Sequence, residues 1–277
     1  MRILLKNATI LDPSSSFHST TQDILIENGE ISKIHNDIKI NQDVKLIKHN
    51  NLHVSKGWFD PSVSFGEPGF EERETIENGL KVAASSGFTK ILLNPNTNPI
   101  PDSNAAISHL VKMGENKTTR LFPIASLTKN ADGKFLAPIY DMHSHGAIGF
   151  GDYKSSLRRA NLLKIALQYS QSFNGIIFSH PLNDEIAKFG MMHEGVISAK
   201  IGLRGIPTLA ETIQISRDLQ ILSYTDGKLH IPFISSKESV ELIKKAKVQG
   251  LNVSCSVGLP NLIFDESHLE GFENNLK

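Results

Sequence analysis

The chain has 277 residues, a length that suits one large domain or a domain with a small accessory module. Basic and acidic side chains both total 29, so the net charge is zero and gives no case for binding nucleic acid or a membrane surface. No apolar run is long enough for a transmembrane helix. The single cysteine, Cys255, suits a reducing cytoplasm, and its apolar surroundings favour a small buried residue over a nucleophile.

The first part of the chain, residues 1–54, is predicted to form a small β module. Brief apolar runs at residues 3–5, 23–26 and 31–34 indicate strands. Asn28-Gly29 stands between the last two runs, and this pair favours the tight turn of a β-hairpin because both positions tolerate positive φ. Such a module has little core of its own, so we expect it to accompany a larger domain.

From residue 55 to 277, apolar strands alternate with amphipathic helices. Helices are predicted at residues 75–86 and 238–249, and Gly250 ends the second one. Strands are predicted at residues 58–63, 88–93, 121–125, 147–150, 175–179, 229–234 and 251–257. This α/β alternation predicts a TIM (β/α)8 barrel with about seven of its eight strands present. A doubly wound sheet is the alternative, although no glycine-rich phosphate loop follows any strand.

Several segments occur in an order that is typical of one enzyme family. They are Glu67-Pro68-Gly69-Phe70-Glu71, Asn94-Pro95-Asn96-Thr97-Asn98-Pro99, Glu194-Gly195, Leu203-Arg204-Gly205-Ile206-Pro207, Ala210-Glu211 and Arg217-Asp218. Together they resemble dihydroorotases of the type found in multifunctional pyrimidine complexes and in many bacteria, over essentially the whole chain. The resemblance implies an amidohydrolase barrel with a small β-sandwich module. It also implies zinc-assisted cyclisation of carbamoyl-aspartate to dihydroorotate in pyrimidine synthesis.

Most of the metal and substrate positions that the resemblance implies hold unsuitable residues. The histidine pair at the end of the first barrel strand is replaced by Ser62 and Ser64, and the arginine that follows is replaced by Gly66. Phe233 stands where the sixth strand would carry a histidine ligand. Hydroxyls are poor zinc ligands beside imidazole, and glycine cannot bind a carboxylate. We therefore expect no bound zinc, or at most a weak or partial site.

Three residues survive at positions that the family uses. Asp152 and His180 are candidates for vestigial metal ligands, and the alternative is that they form a hydrogen-bonded pair inside the barrel mouth. Tyr153, beside Asp152, stands where the resemblance implies paired acids or a modified lysine. Asn96 is the candidate substrate contact by resemblance, and the alternative is a simple turn former between two prolines. No residue is assigned as catalytic.

Three further histidines are interpreted as structural. His143 and His145 imitate a metal motif, but they precede a strand at the C-terminal end of a helix, which faces away from the usual active-site end of a barrel. His230 lies three residues before Phe233, so strict alternation along a strand predicts that these two side chains face opposite sides. It is therefore not expected to replace the missing ligand.

The pattern of loss favours a non-catalytic dihydroorotase homologue, because scaffold motifs persist while ligands are replaced. The resemblance implies aspartate carbamoyltransferase as the partner whose assembly such a protein supports, and self-association is a further expectation. One alternative is an active cyclic-amide hydrolase with a rebuilt site on His180 and Asp152. Another is a fragment without independent function, because the sequence ends before an eighth strand and its aspartate. We expect that the sequence is truncated; the alternative is that a partner covers the exposed strand edges of the incomplete barrel.

Overall fold

A computed structural model describes residues 1–39 and 43–271 of the chain. The chain divides into two compact units, Met1–Trp58 and Phe59–Lys277. No helix in the described ranges is both long and apolar enough to cross a membrane. Each unit has its own sheet and its own hydrophobic cluster.

The first unit is built on a five-stranded sheet. Its strands are β1 (Arg2–Leu11), β2 (Thr21–Glu27), β3 (Glu30–His35), β4 (Lys45–Ile47) and β5 (His53–Ser55). Strand β2 pairs antiparallel with β1 and β3, whereas β4 and β5 pair parallel with β1. The predicted hairpin turn is confirmed, since Asn28 has φ of 53° and Gly29 has φ of 86°. The buried Asp23 carboxylate accepts bonds from Lys6 Nζ and from the amides of Asn7 and Ile38.

The second unit contains seven consecutive strands of an α/β barrel among its described residues. They are β6 (Trp58–Val63), β7 (Phe88–Leu93), β8 (Arg120–Ala125), β9 (Gly149–Phe150), β10 (Ile176–Phe178), β13 (Leu229–Ile231) and β14 (Val253–Cys255). The order in the sheet is β14-β13-β10-β9-β8-β7-β6, with parallel pairing from β7 through β14. All seven predicted strands are confirmed, and the last four are shorter than predicted.

Helices follow most of the barrel strands, as the alternating pattern predicts. They are α1 (Ile76–Ser85), α2 (Asn104–Met113), α3 (Ile139–Ser144), α4 (Ala160–Ser170), α5 (Val196–Ile201), α6 (Thr208–Thr225) and α7 (Lys237–Val248). Side-chain hydroxyls of Thr75, Ser103 and Ser236 accept bonds from backbone amides at the starts of α1, α2 and α7. Two further strands, β11 (Met192–His193) and β12 (Gly205–Ile206), form a small parallel pair on either side of α5.

The main core lies between the sheet and the helices. Phe150, Ile177, Leu229 and Ile231 are completely or almost completely buried in it, so these strand residues face the helices. Because neighbouring residues of a strand alternate, Phe178 and His230 point to the opposite face, which is the barrel interior. Cys255 is half-buried and packs against this core, so the predicted buried position is only partly reached.

The expected orientation of His230 relative to Phe233 depends on how far strand β13 extends. Strand β13 ends at Ile231, and Phe233 has φ of 56°, so regular alternation does not continue to it. The His230 ring packs on Phe178, with ring centroids 4.7 Å apart, and Phe178 and Phe233 line the same pocket. Strict alternation therefore does not decide whether His230 and Phe233 face opposite sides, and that prediction stays a prediction. His230 Nδ1 and Nε2 bond to the hydroxyls of Ser254 and Ser256, in keeping with a structural histidine.

Candidate functional site

The C-terminal ends of the barrel strands meet around one narrow pocket. This is the end of a TIM barrel at which active sites are found. The pocket has room for about 10 Å³, which is the scale of a single water molecule. Its lining residues are Pro61, Ser62, Asn94, Pro95, Ile124, Gly151, Tyr153, Phe178, Pro232 and Phe233. Two of the four replaced positions, Ser62 and Phe233, are therefore in the pocket wall.

The two serines of the first barrel strand are hydrogen-bonded to asparagines of the next one. Asn94 Nδ2 donates to Ser62 Oγ at 2.9 Å, and Asn96 Nδ2 donates to Ser64 Oγ. The amide of Asn94 also donates to the Val63 carbonyl at 2.8 Å, so main chain and side chains join the same strand ends. The sequence did not indicate Asn94, and only its two-residue spacing from Asn96 could have done so. The hydroxyls thus have protein partners in place of a metal.

The backbone at Gly66 leaves no space for the arginine that the resemblance implies at this position. Gly66 has φ of 116°, and a Cβ built there would lie 2.6 Å from the Phe70 carbonyl oxygen. Side chains rarely adopt this φ, and the contact is with backbone, which cannot move aside easily. Gly66 therefore lies in a loop conformation that excludes any larger residue.

Asp152 is directed away from the pocket into the loop that follows β8. Its Oδ1 accepts bonds from Ser126 Oγ, from the Leu127 amide and from the Thr128 amide, and its Oδ2 accepts a bond of 2.6 Å from Thr128 Oγ1. Burial raises the pKa of Asp152 above its usual value, against the opposing effect of the Thr128 and Ser126 hydrogen bonds. All of these contacts are structural, and none of them reaches His180.

His180 follows β10 and carries an unpartnered nitrogen. Its Nδ1 is buried and has no hydrogen-bond partner, so the alternative of a hydrogen-bonded Asp152–His180 pair is wrong. Burial lowers the pKa of His180, and the positive charge of Lys154 lowers it further. The imidazole is therefore neutral at physiological pH, which is the form that binds zinc. The prediction that it is a vestigial ligand stays a prediction.

Comparison with known proteins decides the family. The family model for dihydro-orotase-like proteins matches residues 53–239. This chain belongs to the dihydroorotase-like family. Two curated relatives are dihydroorotases from Syntrophus aciditrophicus (34% identical over 279 residues) and from Pelotomaculum thermopropionicum (32% identical over 277 residues). All of this chain matches both, and it spans 65% and 64% of their respective lengths.

Solved structures agree on the fold. The chain superimposes on an L-hydantoinase (dihydropyrimidinase) from Arthrobacter aurescens with a TM-score of 0.81, at 21% sequence identity. The match covers 99% of this chain and 62% of the hydantoinase. At this level of identity the likeness shows the barrel fold alone. It confirms the α/β barrel fold that the alternation of strands and helices predicts.

Two aromatic residues stand at positions for which the resemblance to dihydroorotases implies other residue types. Tyr153 and Phe233 both line the pocket, and their ring centroids are 6.4 Å apart at an interplanar angle of 82°. After β9, Tyr153 faces the pocket whereas Asp152 does not. In sequence, Tyr153 stands out only by its position beside Asp152, and the pattern predicts no role for it. The sequence signal for this pair is that Tyr153 and Phe233 are both aromatic and both follow barrel strands.

The residues at the barrel mouth do not fit the family's zinc site. Within residues 1–39 and 43–271, no three histidine, cysteine, aspartate or glutamate side chains are grouped so that they could hold a metal ion. Zinc in catalytic sites takes three protein ligands. His180 stands at a predicted ligand position, and the Asp152 oxygens are bonded to residues 126–128 instead. No chemical step through zinc follows from this arrangement.

Asn96 remains the candidate substrate contact, although its side chain is partly used. Its Nδ2 donates to Ser64, while its Oδ1 is buried and has no hydrogen-bond partner. The alternative of a simple turn former accounts for neither feature, because a turn former needs no partner on the neighbouring strand. A role in substrate binding stays a prediction.

Proposed function

We propose that this chain is a non-catalytic member of the dihydroorotase family that supports the assembly of aspartate carbamoyltransferase in pyrimidine synthesis. The observation that carries the non-catalytic part is the pairing of Ser62 with Asn94 and of Ser64 with Asn96. Side chains at both positions of the family's first-strand histidine pair serve as contacts within the barrel. The aromatic residues Tyr153 and Phe233 reduce the remaining space to the size of one water molecule.

Residues of the family motifs that persist make structural contacts. This supports selective loss of the ligand residues over general decay of the sequence. The Glu211 carboxylate accepts bonds from the amides and hydroxyls of Ser235 and Ser236, at the start of α7. Asp218 on α6 accepts a bond of 2.6 Å from Ser179 Oγ, next to His180. A Cβ at Gly205 would lie 2.4 Å from the Glu194 Cα, so close approach of backbones requires glycine there. A scaffold role needs these contacts, whereas catalysis needs the residues that are replaced.

The alternative of an active hydrolase with one metal on His180 and Asp152 has less support. To bind a metal, the Asp152 carboxylate would have to break the four hydrogen bonds that it accepts from residues 126–128. The buried amides of Leu127 and Thr128 would then lose their acceptor. Even then, two protein ligands are fewer than catalytic zinc normally has. No observation on the described residues favours this second function over the first.

The test of the proposal has an enzymatic arm and an assembly arm. The purified protein is assayed for dihydroorotate hydrolysis with added zinc, beside the Syntrophus aciditrophicus dihydroorotase as positive control. It is then mixed with the aspartate carbamoyltransferase of its own source and analysed by sedimentation velocity. We expect no turnover and a joint complex. Zinc-dependent turnover would refute the non-catalytic part, and two independent boundaries at micromolar concentrations would refute the assembly part.

A further inference from the structure

The aromatic pair Tyr153 and Phe233 joins two strands that are not neighbours in the barrel. Tyr153 follows β9 and Phe233 follows β13, and β10 lies between these strands. The two rings meet edge to face at a centroid distance of 6.4 Å. A metal ion bound by side chains from several strands ties their ends together, and no such tie is available here. The rings supply a contact across the same mouth.

We propose that Tyr153 and Phe233 form a metal-independent plug that holds the ends of β9 and β13 together in place of zinc. This inference deepens the proposed non-catalytic function and rests on it. The Ser62–Asn94 and Ser64–Asn96 bonds supply the corresponding tie between the ends of β6 and β7.

The backbone at both plug residues supports the same conclusion. Tyr153 has φ of 55° and Phe233 has φ of 56°, a left-handed conformation that bulky side chains rarely adopt. Such conformations persist only where the surrounding contacts compensate for them. For Tyr153 and Phe233 the contacts are each other's ring and the pocket wall, which includes Phe178. Removal of one ring therefore leaves the other strained residue with less compensation.

Phe189 offers a matched control for the backbone conformation. It is a phenylalanine with φ of 62°, but 66% of its surface is exposed and it does not line the pocket. The charged ends of Lys188 and Arg204 lie 5.0 and 5.7 Å from the centroid of its ring. Loss of an exposed ring at such a backbone position should have little effect on folding. The contrast between Phe189 and Phe233 isolates the contribution of the aromatic pair.

The test is a double-mutant cycle on the unfolding equilibrium of the full chain. Tyr153→Ala, Phe233→Ala and the double variant are unfolded in urea with and without zinc, beside Phe189→Ala. Each single variant should raise the unfolding equilibrium constant. We expect the rise in the double variant to be about 2- to 10-fold smaller than the product of the two single rises. Phe189→Ala should change this constant less than either single variant, and zinc should not shift the wild-type transition.

The outcomes of this cycle separate the plug from the proposed function. Strictly multiplicative single effects would overturn the plug. The proposed non-catalytic function would still stand if the wild-type protein showed no dihydroorotate turnover. Stabilisation of the wild type by zinc would overturn the claim of metal independence. If the alanine variants do not fold, the same cycle with Tyr153→Leu and Phe233→Leu keeps the volume and removes the edge-to-face contact. Single leucine effects that multiply to more than the effect of the double leucine variant support the plug, and strictly multiplicative effects or unchanged stability overturn it.

Discussion

A pH titration of stability tests the interior of the barrel through His230. This side chain is 7% exposed and bonds to Ser254 and Ser256, and burial lowers its pKa from 6.5 to about 4, with a smaller contribution from Lys247. In the unfolded chain the imidazole regains its ordinary pKa. Between pH 6.5 and pH 4 the unfolded state therefore binds a proton that the folded state does not. Stability falls as the pH is lowered through this window and levels off below it.

The magnitude follows from the size of the shift. Each pKa unit corresponds to about 1.36 kcal/mol, so His230 should contribute a loss of about 3 kcal/mol between pH 6.5 and pH 4. We expect His230→Gln to remove this contribution while other groups, including His180, continue to titrate in both proteins. Urea unfolding followed by circular dichroism at four pH values measures the difference. Parallel pH profiles for the wild type and His230→Gln would refute the buried, neutral histidine.

Two further substitutions test contacts around the site. Gly66→Ala should destabilise the protein by about 1–2 kcal/mol more than Gly133→Ala. Both glycines have positive φ, but only at Gly66 would a Cβ lie against backbone. Equal urea midpoints for the two variants would contradict this. Asp218→Ala should cost about 3 kcal/mol, because Arg217 loses a largely buried partner, whereas Arg158→Ala at an exposed ion pair should cost less than about 1 kcal/mol. Similar losses of stability in these two variants would show that the buried Asp218 ion pair contributes no more than the exposed Arg158 pair.

The barrel could be predicted from sequence because apolar runs report burial, but the strand limits could not. Residue Ala147 was placed in a strand with Phe150, and it is indeed buried, yet β9 pairs only over Gly149–Phe150. Apolar character is the same for a residue in a sheet ladder and for one just before it. The ends of the strands depend on where the chain turns, which a hydrophobic pattern does not encode.

At the candidate site, the lost ligands were visible in sequence and their new partners were not. Ser62 and Asn94 are 32 residues apart, so their contact depends on the pairing of β6 with β7. The orientation of Asp152 depends on the left-handed turn at Tyr153, and the position of Phe233 depends on a similar turn after β13. Local pattern predicts neither turn, because bulky residues rarely adopt positive φ. The vestigial-ligand hypothesis for Asp152 and His180 was therefore framed without knowledge of where each side chain points.

Zinc binding by the purified protein tests the account most directly. The protein is dialysed against buffered zinc, the bound metal is measured by mass spectrometry, and dihydroorotate turnover is followed in the same samples. The serine–asparagine pairs and the aromatic plug predict substoichiometric zinc and no turnover. One tightly bound zinc per chain together with dihydroorotate hydrolysis would contradict the account.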